Sequence, residues 1–303
     1  MTDDFLVSDH RTLTLGHLYP DQLNLYGDRG NILTLQRRCQ LRAIELRVVG
    51  IGIGDTLVPD EYDMVFIGGG QDREQAPVAQ DVYDLKGSGL RAAVEDDMPL
   101  LAVCGGYQLL AHYYRPAEGP DMRGLGIFDA WTIHKGARVP RCIGDVAISW
   151  QGSTLVGFEN HGGRTYLGTA QPLGKVLKGH GNNAEDHTEG AVYRNAYGTY
   201  LHGSLLPKNP HFADHLIGLA LQRKYGTHSR ASTNVNLTTA NASASNGVTS
   251  LVTAPQEAAM LLCSLDDTLE WEAHAALLER LGLHDAAAAV LRTRTKPVSA
   301  FQS

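Results

Sequence analysis

A short apolar run, Leu100-Leu101-Ala102-Val103, opens after Pro99 and meets one cysteine and two glycines at Cys104-Gly105-Gly106; Leu109 and Leu110 then follow at the spacing of a helix start. The run suits a parallel strand buried on both faces. A strand that turns into a helix so abruptly is a nucleophile elbow, which lifts one side chain above the sheet edge and needs neighbours without Cβ. The unpaired N–H groups and positive dipole end of the following helix favour a thiolate, the attacking form of cysteine, at position 104. The Gly105 N–H can point at an oxyanion forming on a substrate carbonyl. The competing reading is a structural cysteine buried beside a glycine turn, since cysteine is among the most buried residue types.

The elbow predicts an α/β fold, and the rest of the chain supplies its parts. Thr12 to Tyr19 alternates and ends at Pro20, as a first strand would. Asp28 can cap a helix from Arg29 to about Gln40, and Ile44 to Val49 is an apolar second strand. Tyr62 to Ile67 is a third strand that runs into Gly68-Gly69-Gly70, and a helical stretch lies between Gln80 and Asp96. Strands alternating with helices, with glycines at the strands' carboxyl ends, predict a doubly wound parallel sheet with its ligand site along that edge. A Gly69 or Gly70 N–H there would be the second oxyanion donor beside Gly105. Between Gly124 and Phe158 strand-like alternation predicts added antiparallel hairpins.

A cysteine nucleophile needs a group to hold the thiolate and then to protonate the leaving group, and histidine does both near neutral pH. Of 13 histidines, His202 and His161 stand at glycine turns. His202 is favoured because Gly198-Thr199-Tyr200-Leu201-His202 reads as a strand returning to the sheet and ending on that histidine at the ligand edge. Other chemistries find little support. A net charge of −7 with no basic stripe argues against nucleic acid. No P-loop pattern for ATP is present, and four scattered cysteines suggest neither disulfides nor zinc. His180 and His187 have no neighbours that complete a metal ligand set. With no apolar run of membrane-spanning length and a polar start, the reading is a cytoplasmic protein.

Taken in order, the Gly68-Gly69-Gly70-Gln71-Asp72 loop, the elbow Val103-Cys104-Gly105-Gly106-Tyr107-Gln108, Phe158-Glu159-Asn160-His161 and Gly198-Thr199-Tyr200-Leu201-His202-Gly203 resemble the class I glutamine amidotransferases of the cobyric acid synthase type, and within them the GatD-type glutaminase subunits of lipid II isoglutaminyl synthases. The resemblance covers about residues 12 to 225. It implies a flavodoxin-like sheet, Cys104 as nucleophile, His202 as base and Gln108 in the substrate site. It also implies an arginine for the glutamine carboxylate, where Arg141 matches better than Arg138. No cofactor is implied for this chain. The implied partner is a MurT-type ligase, in a heterodimer, which would use ATP and Mg to amidate D-glutamate of lipid II at the inner face of the membrane. A cobyrinate-type amidotransferase and a catalytically silent binding subunit are the alternatives.

Enzymes of this kind usually carry a glutamate two residues after the histidine, and here that position is Ser204. A hydroxyl cannot supply the charge that orients an imidazole. The expectation is therefore a Cys-His dyad, or an acid that comes from elsewhere, with an Asp or Glu of the partner as the expected source. After Tyr225 the composition turns to Ser, Thr, Asn and Ala, which predicts a flexible linker over 226–257. Beyond it, leucines at helical spacing with a break near Gly282 predict two amphipathic helices in 258–303, covering the main domain or docking on a partner.

Overall fold

Six strands form the main sheet: β1 (Thr12–Leu18), β2 (Glu45–Ile51), β3 (Met64–Ile67), β4 (Leu100–Val103), β13 (Ala191–Tyr193) and β14 (Ala196–Thr199). Their order is β13-β14-β4-β3-β1-β2, all parallel except the outer β13. These relations come from a computed structural model that describes residues 11–24, 28–202, 205–226 and 262–294. The central β3 and β4 are buried at every position, as their unbroken Met-Val-Phe-Ile and Leu-Leu-Ala-Val runs require of strands covered on both faces. This is the flavodoxin-like arrangement, and the carboxyl ends of β3, β4 and β14 lie side by side.

Helices α1 (Arg29–Gln40), α2 (Asp72–Asp81), α3 (Gly87–Glu95), α4 (Gly105–Leu110) and α5 (Pro210–Tyr225) connect and cover the sheet. The helical stretch after β3 begins at Asp72, eight residues before the expected Gln80, and passes through a π-helical turn at Val82–Lys86. Pro77 lies inside it, and the Gly68–Gly70 run before it reads locally as loop, which is why the sequence pattern delays the start.

Two smaller four-stranded sheets carry the predicted hairpins. One has the order β10-β7-β5-β6, built from β5 (Tyr113–Arg115), β6 (Met122–Arg123), β7 (Ala130–His134) and β10 (Gly163–Leu167). The other is β12-β11-β8-β9, built from β8 (Cys142–Trp150), β9 (Ser153–His161), β11 (Gly174–Lys178) and β12 (Thr188–Glu189). The expected strand into His202 stops at Thr199. His202 instead joins β9 through a two-residue bridge, its N–H donating to Phe158 C=O at 2.6 Å.

The predicted linker falls almost wholly outside the described residues. Beyond it, α6 (Thr268–Arg280) and α7 (His284–Arg294) form the helical pair broken at Gly282. Leu277, Leu278 and Ala287 pack against Ala147 of β8 and Val156 of β9, so the pair covers its own chain. Arg38 on α1 is 4% exposed and bridges Asp214 of α5 at 2.6 Å and Asp267, the residue before α6, at 2.5 Å. Loss of either carboxylate would leave part of a buried guanidinium uncompensated, a costly change.

His274 of α6 is fully buried, with Nε2 at 2.7 Å from Thr154 Oγ1 and Nδ1 at 2.8 Å from Lys208 C=O. Burial pushes its imidazole down to about 4. A histidine depressed in this way stabilises the fold above its unfolded pKa near 6.5, and that contribution is lost as pH falls toward 4. The stability advantage of the wild type over His274→Gln is therefore expected to shrink by roughly 2 kcal/mol between pH 7.5 and pH 5. Urea unfolding of both proteins at the two pH values measures it.

Candidate active site

Cys104 closes β4 with φ +50° and ψ −104°, outside the regions an L-residue ordinarily visits. Its N–H donates to Thr199 C=O at 2.8 Å, and its C=O accepts the Gln108 N–H at 3.0 Å, so strand and helix hold the turn from both sides. The following glycines are there for close approach. A Cβ at Gly106 would stand 2.8 Å from the Ile67 carbonyl oxygen, and one at Gly105 would stand 2.6 Å from Gln75 Nε2. Cys104 is thus lifted to the sheet edge beside the Gly68–Gly70 loop, as an elbow requires.

Gly69 adjoins both Cys104 and His202. A Cβ there would sit 3.1 Å from Cys104 Cβ and 3.0 Å from His202 Cε1, so the cysteine and the imidazole border the same glycine. His202 is fully buried. Burial opposes its charged form, but the neighbouring Cys104 and the Asp28 carboxylate outweigh it and raise the imidazole to about 10. The imidazole of His202 therefore favours its charged form. His161 is elsewhere engaged: Nδ1 is 2.8 Å from Gly163 C=O, the ring stacks on Tyr200 at 3.7 Å, and Nε2 is 3.9 Å from the buried Glu159.

Asp28 departs most from the sequence reading. It precedes α1 in α-helical conformation and makes no side-chain capping bond. Its carboxylate, fully buried, turns toward the site: Oδ2 accepts the Gly69 N–H at 2.6 Å, and Oδ1 is 3.9 Å from His202 Nδ1. A carboxylate of this chain thus stands where orientation of the imidazole calls for one. Ser204 lies outside the described residues.

The Asp28 contact also decides between the two glycine donors. The Gly69 N–H is committed to Asp28, which removes it as an oxyanion donor. Gly70 N is 3.1 Å from the place of a Gly105 Cβ and makes no hydrogen bond among the described residues, while the Gly105 N–H opens α4 and has no intrahelical partner. These two N–H groups lie close together where the chain turns after Cys104, and can share an oxyanion.

Gln108, 4% exposed, donates from Nε2 to the Tyr200 hydroxyl at 3.1 Å, and that hydroxyl also meets Thr165 Oγ1 at 2.7 Å. Arg141 is exposed just before β8. Its Nε and Nη2 donate to Asn160, and Nη1 lies 3.1 Å from the place of a Gly162 Cβ. A Cβ on the next residue, Gly163, would be 2.9 Å from Gln108 Nε2, so the guanidinium and the Gln108 amide border the same short segment. Arg138 is exposed. His180 donates to and contacts Glu159.

Residues 14–210 match the CobB/CobQ-like glutamine amidotransferase domain. The chain belongs to the CobB/CobQ-like glutamine amidotransferases. This amidotransferase is 47% identical over 215 residues to the lipid II isoglutaminyl synthase (glutamine-hydrolyzing) subunit GatD of Staphylococcus aureus, a match covering 70% of this chain and 86% of the relative. It is 41% identical over 217 residues to the GatD subunit of Streptococcus pneumoniae, covering 71% and 82%. A probable cobyric acid synthase of Methanothermobacter thermautotrophicus is 30% identical over 190 residues, covering 57% of this amidotransferase and 36% of that longer protein.

Proposed function

We propose that this chain is the glutaminase subunit of a lipid II isoglutaminyl synthase, hydrolysing the side-chain amide of L-glutamine and passing ammonia to a ligase. The observation that carries the chemistry is Cys104 and the buried His202 meeting at the same glycine, Gly69, with the Asp28 carboxylate on the Nδ1 side of the imidazole. The acceptor rests on similarity to GatD relatives across more than four fifths of their length.

Cys104 attacks the γ-carbonyl carbon, and the oxyanion is held by the N–H groups of Gly70 and Gly105. His202 gives its proton to the departing amine, so ammonia leaves and a γ-glutamyl thioester remains. Water, deprotonated by His202, cleaves the thioester to glutamate and restores the thiol. Asp28 holds the ring in the tautomer that these two transfers need. Arg141 takes the α-carboxylate of glutamine and Gln108 its α-amino end.

The partner proposed is a MurT-type Mur ligase in a heterodimer, with ATP and Mg bound there and not by this chain. Among the described residues no helix is long and apolar enough to cross a membrane. The proposed location is the cytoplasm, at the inner membrane face where a lipid-linked acceptor is presented. Co-expression with such a ligase, followed by assay of glutamate release and of ATP-dependent amidation of lipid II, tests the function; glutamate release without amidation would set the acceptor aside.

Arg141→Ala is expected to raise KM for glutamine on the order of tenfold or more with a smaller effect on kcat, because a carboxylate contact made in ground and transition states is lost. Arg138→Ala is expected to leave KM within about twofold. Steady-state kinetics of the two variants decide the placement.

A further inference from the structure

The Gly70 N–H belongs to the peptide joining Gly69 and Gly70. With no Cβ on either side, such a peptide can rotate at little steric cost, and rotation would replace the donor by a carbonyl oxygen facing the nascent oxyanion. The structure restrains it on both shoulders. Upstream, the Gly69 N–H is bonded to Asp28 at 2.6 Å, and the Gly68 C=O accepts the Gly106 N–H at 3.0 Å. Downstream, the Gly70 C=O accepts Nε2 of Gln75 at 3.0 Å.

Gln75 is suited to that task. It lies in the first turns of α2, its own N–H bonded to Gln71 C=O at 3.0 Å, and its side chain is 1% exposed. The amide reaches back beneath the loop, with Nε2 only 2.6 Å from the place of a Gly105 Cβ, so one side chain touches the surroundings of both oxyanion donors. We propose that Gln75 is a positioning residue that locks the Gly70 peptide in its donor orientation and so preorganises the oxyanion hole. This deepens the proposed glutamine hydrolysis and rests on it. Preorganisation of this kind acts on the transition state and leaves the ground state nearly untouched, which separates it from a role in binding glutamine.

Gln75→Glu keeps the shape and sets carboxylate oxygens against the Gly70 carbonyl; Gln75→Ala removes the anchor without that repulsion. In the complex with the ligase, both variants are expected to lower kcat for glutamate release on the order of 10- to 100-fold, with KM within about twofold. Alkylation of Cys104 by iodoacetamide forms no oxyanion, and its rate and pH profile are expected to stay as in the wild type. Unchanged kcat, a rise in KM alone, or alkylation that falls in step with kcat would overturn the proposal. Hydrogen exchange of the Gly69 amide, followed in ¹⁵N-labelled protein, gives a readout independent of turnover. Faster exchange in Gln75→Ala supports the anchor and unchanged exchange rejects it, even if the wild type proves to release no glutamate and the glutaminase reading fails.

Discussion

Cys104→Ala is expected to abolish glutamate release from glutamine, a loss on the order of 10⁵-fold or more, while the protein still folds. The size follows from the role: without the sulfur no thioester forms, and in enzymes whose nucleophile and base act as a unit, removing one member forfeits nearly all that the unit supplies. The fold is spared because alanine keeps the Cβ that already tolerates φ +50°, and the turn is fixed by backbone bonds to Thr199 and Gln108 that the substitution leaves in place. Coupled assay of glutamate and a thermal melt of the same preparation check both halves. Residual turnover above about a thousandth of wild type would remove Cys104 from the mechanism.

Asp28→Asn is the second large effect. The amide oxygen can still accept the Gly69 N–H, so the loop keeps its anchor, but the negative charge beside Nδ1 of His202 is gone. Loss of the corresponding carboxylate in serine hydrolases costs on the order of 10⁴ in kcat, and a fall on the order of 10²- to 10⁴-fold is expected here. The pH profile carries a sign. His202 is raised partly by Asp28, so the imidazolium persists to higher pH in the wild type, and the alkaline limb of kcat is expected to move to lower pH in Asp28→Asn. Wild-type rates in Asp28→Asn, with loss of activity on neutralising a carboxylate of the ligase, would return the third acid to the partner.

The elbow was legible because strand, nucleophile and helix are consecutive in sequence, and each step has a local physical signature in Leu100–Val103, the two glycines and Leu109. His202 was legible through chemistry, although its strand ends at Thr199 and the residue is held by β9. Asp28 was not. An acidic residue before a helix looks like a cap, and only tertiary placement shows that its carboxylate faces Gly69 and His202. The available signal was topological: Asp28 follows β1, which pairs with β3, so its loop shares an edge with Gly68–Gly70. Gln75 was hidden for a related reason, since α2 begins at Asp72 and the residue precedes the helical stretch expected from Gln80.

Cys104 of this chain is the proposed nucleophile toward glutamine, activated by His202. Incubation of the complex with 6-diazo-5-oxo-L-norleucine, a glutamine analogue that alkylates such nucleophiles, followed by peptide mapping in a mass spectrometer, tests it most directly. A single adduct on Cys104, formed much more slowly in His202→Ala and suppressed by excess glutamine, is the result predicted; no adduct, or one on Cys39, Cys142 or Cys263 that glutamine does not suppress, would contradict it.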